Sequence, residues 1–418
     1  MLSLINIRVG FYLALRQLRR ASLWTTGLIV FVMLLTFLNL VVVTGILVGL
    51  IDGINNSYRT QYTGDVILSA LSTKEYIEDT PSIVAFLKTL PHVALLTERY
   101  QTGSTIEANY LTRTSETEKP NATSAQVIGI DPVAEDAFTG LSQHVIEGQY
   151  LAHGDYDQVL VGNYLLAQYA FGELPGLTPL KNVSPGTKVR LTINGATREV
   201  IVKGFVKTKI DALAMSIFMP ASELRTIMGR SDQNVAQVAI RLTPGSDPVA
   251  FKNLLLASGI GEKAKVQTFE DSIPNGVADI KTTFAMLGNG FSSIGLVVAA
   301  ITIFIVIFIN AITRRKFIGI LKGIGISGEA IEISYIFQSL FYAVIGSIIG
   351  LAVLYGLLVP GIAAHPIDFP FSDGILVAPI DGTLVRIALL VLTTVVAGYL
   401  PSRMIVRRNT LDSILGRN

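Results

Sequence analysis

The sequence contains no cysteine, one tryptophan and four histidines, and Asp, Glu, Lys and Arg together make up only 15% of its 418 residues. Each shortage excludes something. Without cysteine there are no disulfides, thiolate nucleophiles, zinc–thiolate sites or iron–sulfur clusters. The histidines, His92, His144, His153 and His365, are scattered and lack metal-ligand spacing. No G-x-S-x-G elbow, H-E-x-x-H pair or G-x-x-x-x-G-K-[ST] phosphate loop occurs in the chain. An ordinary soluble domain carries about 25% charged residues. This chain falls far below that, and half of it is apolar, with a mean hydropathy of +0.53. That combination describes an integral membrane protein.

Four apolar stretches are long enough to cross a bilayer as helices: 23–51, 284–312, 335–359 and 383–400. The first is too long for a signal-peptide core and has no small-residue cleavage site after it, so it reads as retained. Basic residues set the orientation. Arg8, Arg16, Arg19 and Arg20 precede the first span; Arg314, Arg315, Lys316 and Lys322 lie between the second and third; Arg403, Arg407, Arg408 and Arg417 follow the fourth. Against these stand only Glu329, Glu332 and Asp412, and the loop at 360–382 has no Lys or Arg. Residues 1–22, 313–334 and 401–418 are therefore expected in the cytoplasm, with 52–281 and 360–382 outside. Arg386, just inside the outer end of the fourth span, is expected to reach back to the headgroups along its aliphatic stem.

Small residues recur at helical spacing in the spans: Gly45 and Gly49, Gly295 and Ala299, Gly346 and Gly350. Such pairs let helices approach closely in lipid, either within one chain or between two copies. The spans flanking the polar segment exceed what a bilayer needs. A helix of 28 residues is roughly 40 Å long against an apolar core of about 30 Å, an excess absorbed by tilt or by projection outward as a stalk.

Residues 52–281 carry 25 acidic and 20 basic residues and frequent Pro, Gly and Asn turns. Strands are expected in 104–113, 125–130, 158–162 and 235–242, and a hairpin turned at Asn194-Gly195. Helices are expected at 82–90, 163–169, 222–228 and 248–257. The whole reads as an α+β domain, in two lobes, inserted between the first and second membrane helices. Asp155 and Asp157 read as solvated loop acids rather than a catalytic pair. The N-x-S/T triplets at Asn55, Asn121 and Asn182 matter only in a eukaryotic secretory pathway.

Between the second and third spans lies "RRKFIGILKGIGIS", Arg314 to Ser327. On a helix, Phe317, Ile320, Leu321 and Ile324 form one apolar stripe, with Arg315, Gly319, Lys322 and Gly323 opposite. This is an amphipathic helix with a basic face, suited to lie on anionic headgroups or to meet a partner. "GIGISG" at 323–328 satisfies G-x-G-x-x-G, but it follows a membrane span and lacks the preceding strand of a dinucleotide site.

The stretch also resembles the R-R-R-E-I-G-I-L-K-A-[LI]-G-A-[ST] signature of the FtsX-like/MacB-like ABC transporter permeases. "LALRQLRRASLWTTGLIV", "VIEGQYLAHGDYDQVLVGNYLLAQYAFGE", "IFQSLFYAVIGSIIGLAVLYGLL" and "VVAGYLPSRMIVRRNTLDSIL" are similar to further passages of that family, in order along the whole chain. The chain departs from the pattern at Phe317, where Glu is usual, and at Gln338, where an acid is common. The resemblance implies that 52–281 is a MacB-like periplasmic core domain in a bacterial inner-membrane protein. It implies that Arg314, Arg315, Lys316, Phe317, Gly319, Ile320, Leu321, Lys322 and Gly325 form the surface that docks on a cytoplasmic ABC ATPase. The chain itself is then no enzyme and binds no cofactor, Mg-ATP being used by the ATPase. A second permease subunit, identical or not, is expected, with an extracytoplasmic adaptor or substrate and no nucleic acid. The implied function is mechanical export or handling of lipoproteins, peptides or antibiotics. The alternatives are an FtsX-type transducer that activates an external cell-wall hydrolase, and an adhesion or receptor module.

Overall fold

The computed structural model describes residues 4–112, 119–169, 178–273, 275–365 and 376–407. Arg408, Asp412 and Arg417, the middle of the 360–382 loop and the stretch just after Tyr169 lie outside the described residues. The chain forms two compact units, one helical and one comprising Gly53–Ala278.

The chain begins with helix α1 (Leu4–Arg19) and helix α2 (Leu23–Tyr58). The latter, at 36 residues, is about 54 Å long at 1.5 Å per residue. It ends in a wide π-helical turn, Arg59–Thr63. Gly64 then reverses the chain at φ 69°, where a Cβ would lie 2.4 Å from the Ile240 carbonyl oxygen, so only glycine fits.

In the α+β unit the strands are β1 (Val66–Ser69), β2 (Val93–Ala108), β3 (Asn121–Ile130), β4 (Val145–Gly148) and β5 (Gln158–Gly162). They continue with β6 (Lys188–Ile193), β7 (Ala196–Val206), β8 (Ser216–Pro220), β9 (Gln237–Leu242) and β10 (Lys265–Thr268). The helices are α3 (Thr80–Thr89), α4 (Pro132–Thr139), α5 (Asp211–Ala214), α6 (Ala221–Ile227), α7 (Pro248–Ala257) and α8 (Phe269–Ser272). The strand order is β10-β1-β9-β2-β3-β8-β5-β7-β4, with β6 paired to β2 and β7. The long β2 joins the two lobes: Val93–Arg99 pair with β9, whereas Tyr100–Ala108 pair with β3. The hairpin turns at Asn194 and Gly195, both at positive φ as a two-residue type I′ turn requires.

The sequence expectations differ in places. Helix α4 was not expected, although Asp131-Pro132 opens it and Gly140 closes it: Asp131 accepts from the amides of Val133 and Ala134. The helix expected at 163–169 is only a 3₁₀ turn, Asn163–Leu165. The strand expected to begin at 104 begins at Val93 and ends at Ala108.

The chain then returns as α9 (Asn275–Thr313), α10 (Arg315–Gly323), α11 (Gly328–Val353), a short α12 (Val359–Ala364) and α13 (Ile380–Val406). Among the described residues, four helical stretches are long and apolar enough to cross a membrane: Leu23–Thr63, Thr282–Thr313, Gly328–Ala364 and Ile380–Val406. The core of this unit packs Met33, Phe37 and Leu40 against Ala299, Ile303, Ile307, Tyr335, Tyr342 and Leu390. The small residues lie on these contacts. Gly346 faces Met33 and the Leu34 amide, Gly350 faces the Phe37 ring, and Gly295 faces Asn39 Oδ1. Gly45 meets Val377, whose amide donates to its carbonyl at 3.1 Å, and Gly49 and Ala299 are buried. A Cβ on Gly382 would sit 2.9 Å from Arg386 Nη1, so that guanidinium lies back along α13 toward its N-terminal end.

A Cβ on Gly346 would lie 2.6 Å from Met33 Cβ and 3.2 Å from the Leu34 amide nitrogen. Because one of these is backbone, Gly346→Val is expected to cost about 1–3 kcal/mol by overpacking. The check is a lowered thermal midpoint of the full chain in detergent, not recovered by Met33→Ala, which keeps the clashing Cβ.

Candidate functional site

Two sites stand out, one in each unit. In the helical unit, α1 and α10 border a groove of ≈ 820 Å³. Its floor is apolar: Val9, Tyr12, Leu13, Phe317, Ile320, Leu321 and Ile324. Its rim carries Arg8, Arg16, Arg20 and Arg314, with no acid among its lining residues. The stripe expected on α10 is split. Ile318, Gly319 and Leu321 are buried in the bundle, while Phe317, Ile320 and Ile324 are 49%, 52% and 71% exposed. Gly319, expected on the outward face, thus lies inward. Periodicity defines an apolar arc, but not which edge of it the other helices take up.

The segment is held at both ends. Gly325 turns the chain at φ 94° between α10 and α11, and Ser327 caps α11 by accepting from the Ala330 amide. GIGISG is thus a helix-to-helix turn. Asn6 of α1 donates to Glu329 at 2.9 Å and accepts from Ser327 at 2.9 Å. Lys322 Nζ donates to the Val406 carbonyl at 3.0 Å, and Lys316 is exposed. Buried Gln338 donates to Gln17 Oε1 at 2.7 Å and to the Ser334 carbonyl at 3.3 Å. A carboxylate could make neither bond, which gives the departure at this position a physical reason.

In the α+β unit, the site is the junction where α2 ends. Arg99 and Glu135 form a buried ion pair, their side chains 1% and 2% exposed. Arg99 Nε and Nη2 reach the carboxylate at 2.6–3.1 Å, and Thr97 donates to it at 2.7 Å. The remaining arginine edge, Nη1, donates to the Tyr62 carbonyl at 2.6 Å, and the Tyr62 ring lies 5.2 Å from the guanidinium carbon. So β2 and α4 together grip the π-helical turn. Two further ties close the junction: Arg59 pairs with Asp65 at 2.5 Å, and Arg241 donates to the Thr60 carbonyl at 2.7 Å. Asp65 also accepts from the Leu242 amide at 2.8 Å and from the Phe269 amide at 3.0 Å, through Oδ2 and its backbone carbonyl respectively.

Sheet register completes the arrangement. β1, which follows α2, pairs antiparallel with β10, which leads to α9, and Val66 lies opposite Thr268. The two long helices therefore attach to neighbouring, hydrogen-bonded strands. No local motif announces this in the sequence; Arg99 and Glu135 are 36 residues apart.

Asp155 and Asp157 are each engaged separately, with Lys203 at 2.5 Å and Arg198 at 2.7 Å. Buried Glu223 accepts from the Asp157 amide at 3.0 Å, and its Oε2 has no partner. Burial, reinforced by the neighbouring Asp157 carboxylate, pushes the Glu223 carboxyl up to about 7. Among the described residues, no group of His, Asp and Glu is placed to hold a metal ion.

Two sequence families match the chain. The MacB-like periplasmic core domain covers residues 29–257, more than half of the chain, and the FtsX-like permease C-terminal region covers residues 289–410. No curated protein matches. Among solved structures, the chain is similar to the periplasmic region of MacB from Actinobacillus actinomycetemcomitans. Identity there is 15%, covering 49% of this chain and 88% of that one, with a TM-score of 0.32. It is also similar to the extracellular domain of the noncanonic ABC-type transporter YknZ from Gram-positive bacteria, at 18% identity, 49% and 99% coverage and a TM-score of 0.32.

Arg99→Met leaves the Glu135 carboxylate buried without its cation and the Tyr62 carbonyl without its donor. The expected loss is about 3–5 kcal/mol, read as a fall in chemical-denaturation stability, and Arg99→Met/Glu135→Leu is expected to recover much of it. Glu223 predicts a pH dependence. Between its ordinary value of 4.5 and about 7, the folded chain holds a proton that the unfolded chain has released. Its stabilising contribution is complete below the ordinary value and is lost as the pH rises through about 7. Thermal unfolding of the full chain at pH 5 and pH 8 is expected to show this slope in the wild type and to lose it in Glu223→Gln.

Proposed function

The chain belongs to the family of ABC transporter permeases that combine an FtsX-like membrane region with a MacB-like periplasmic core domain, multi-pass proteins of the bacterial inner membrane, and we propose that it converts ATP hydrolysis by a partner subunit into movement of that domain. In this reading the end of the bundle bearing α1 and α10 faces the cytoplasm. The concentration of Arg and Lys there supports the orientation, since positive residues stay on the cytoplasmic side.

The observation that carries the proposal is the groove between α1 and α10. Three exposed apolar side chains, Phe317, Ile320 and Ile324, sit within a ring of arginines. A partner that inserts an apolar side chain and surrounds it with carboxylates would bury the floor and neutralise the rim. The ABC ATPase is that partner, and it binds Mg-ATP. A second permease subunit pairs with this one across the membrane. Helices α2 and α9 carry the displacement outward. At about 54 and 58 Å they are far longer than the ~30 Å apolar core. The cargo is an extracytoplasmic lipoprotein, peptide or antibiotic, exported or handled from outside. Charge inside the spans is scarce, Arg386 being turned back toward a helix end, which supports a lever rather than a polar pore.

Ile320→Glu and Ile324→Glu place charge in the groove floor without touching buried Ile318 or Leu321. Each is expected to reduce co-purification of the ATPase about tenfold or more, while the thermal midpoint of the permease alone stays within a few degrees. Unchanged co-purification in both variants contradicts the assignment.

A further inference from the structure

The α+β unit holds a second feature that the lever mechanism does not use: a cleft of ≈ 430 Å³ between β2, the start of α4, the 152–155 loop and α6. Its charged and polar lining includes Glu98, Tyr100, Asp131, His153, Asp155 and Arg225. Two of the acids are already committed. Asp131 caps α4, and Asp155 accepts from Lys203 and from the Ala152 amide at 2.6 Å.

Glu98 is different. It is half-buried, burial pushes its carboxyl up, and that carboxyl makes no hydrogen bond or ion pair among the described residues. Its strand neighbours show how the site is split: Thr97 and Arg99 turn to the opposite face and join the Glu135 pair, leaving Glu98 on the cleft side with Tyr100. Across from Glu98, Arg225 forms no ion pair among the described residues, and its guanidinium carbon lies 5.6 Å from the Tyr100 ring centroid. The Tyr100 residue is 4% exposed, and its hydroxyl is buried without a hydrogen bond of ordinary geometry.

Among the described residues, one cleft therefore presents a carboxyl with no hydrogen-bond donor beside a guanidinium that packs on the Tyr100 phenol and has no carboxylate partner. A half-buried carboxylate whose burial is not offset by the nearby charges of Lys88 and Arg225 is costly to keep, and so is a buried hydroxyl without a partner. Helix α6 and strand β2 hold these groups on regular elements rather than on a loose loop, so they keep their spacing without a ligand.

We propose that this cleft is a binding site for a short peptide segment that offers a primary ammonium to Glu98 and a carbonyl or carboxylate oxygen to Arg225 and the Tyr100 hydroxyl. The ligand chemistry is the reciprocal of the lining. Its volume suits two or three residues rather than a folded partner. The ammonium can come from a free amino terminus or from a lysine side chain, and the experiment separates the two. The site stands independently of the ATPase, because binding needs neither nucleotide nor the α1–α10 groove.

The test is calorimetric titration of the full chain in lipid nanodiscs, without nucleotide or ATPase. The probes are lysyl-alanyl-alanine, trialanine, Nα-acetyl-lysyl-alanyl-alanine and N-acetyl-trialanine. Saturable binding is expected for the first and none for the last, which lacks both amines. Of the middle pair, trialanine binding identifies a terminal amine and the acetylated lysyl peptide identifies a side-chain amine. Glu98→Gln is expected to weaken binding about tenfold, the worth of one charge-assisted hydrogen bond. The same variant is expected to raise the thermal midpoint of the unliganded protein, because it removes an unpaired half-buried charge; a purely structural Glu98 would lower it. Equal binding of N-acetyl-trialanine, no saturable binding by any peptide, or a Glu98→Gln affinity within twofold of wild type overturns the proposal.

Discussion

The guanidinium of Arg99 is the contact on which the geometry of the junction between the end of α2 and the sheet depends. It satisfies the Glu135 carboxylate with one edge and holds the Tyr62 carbonyl with another nitrogen. A buried ion pair adds little net stability compared with a packed apolar pair, but its directional bonds fix geometry, and breaking it is severe. Here the geometry fixed is that of a helix terminus. The last carbonyls of a helix need partners, and α2 finds them in the side chains of β2 and β9 rather than in water: Arg99 for Tyr62 and Arg241 for Thr60.

The second consequence is continuity. β1 emerges from the clamp and pairs with β10, whose end runs through the Thr268–Asp271 capping box into α8 and then α9. β1 and β10 are bound to each other by backbone hydrogen bonds. At the other end of the helices, the bundle is held by close approach rather than by hydrophobic drive, which lipid does not supply. Gly346 and Gly350 let α11 seat against Met33 and Phe37, while Thr44 and Ser292 share a hydrogen bond at 2.9 Å between α2 and α9. The groove floor stays open because α10 commits only Ile318, Gly319 and Leu321 to this packing.

What the sequence revealed follows from the range of each interaction. The apolar character of the spans, the Asn194-Gly195 hairpin and helix α7, capped by Asp247 ahead of Pro248, are local features governed by composition, turn stereochemistry and capping; the hairpin and α7 lie where the sequence places them, whereas α2 runs on to Tyr58 and α11 starts already at Gly328. α4 carries the same kind of local signal, Asp131-Pro132 at its start and Gly140 at its end. β1 and β10 have four residues each, too few to display a period. The α10 stripe was legible as an amphipathic arc, but the choice of Ile318 over Phe317 as a buried residue is made by helices elsewhere in the chain. The Arg99–Glu135 clamp and the Glu98–Arg225 cleft depend on side chains that only the sheet brings together, so no window of sequence contains them.

The proposed movement of the domain requires the junction between α2 and the sheet to stay closed. Hydrogen exchange at the backbone amides of Gly64, Asp65, Leu242 and Phe269 measures this most directly, since each is bonded within the junction. The account predicts the same strong protection at these amides whether the ATPase-bound protein is idle or turning over ATP. Faster exchange there during turnover would show the junction to be a hinge, and would contradict the account.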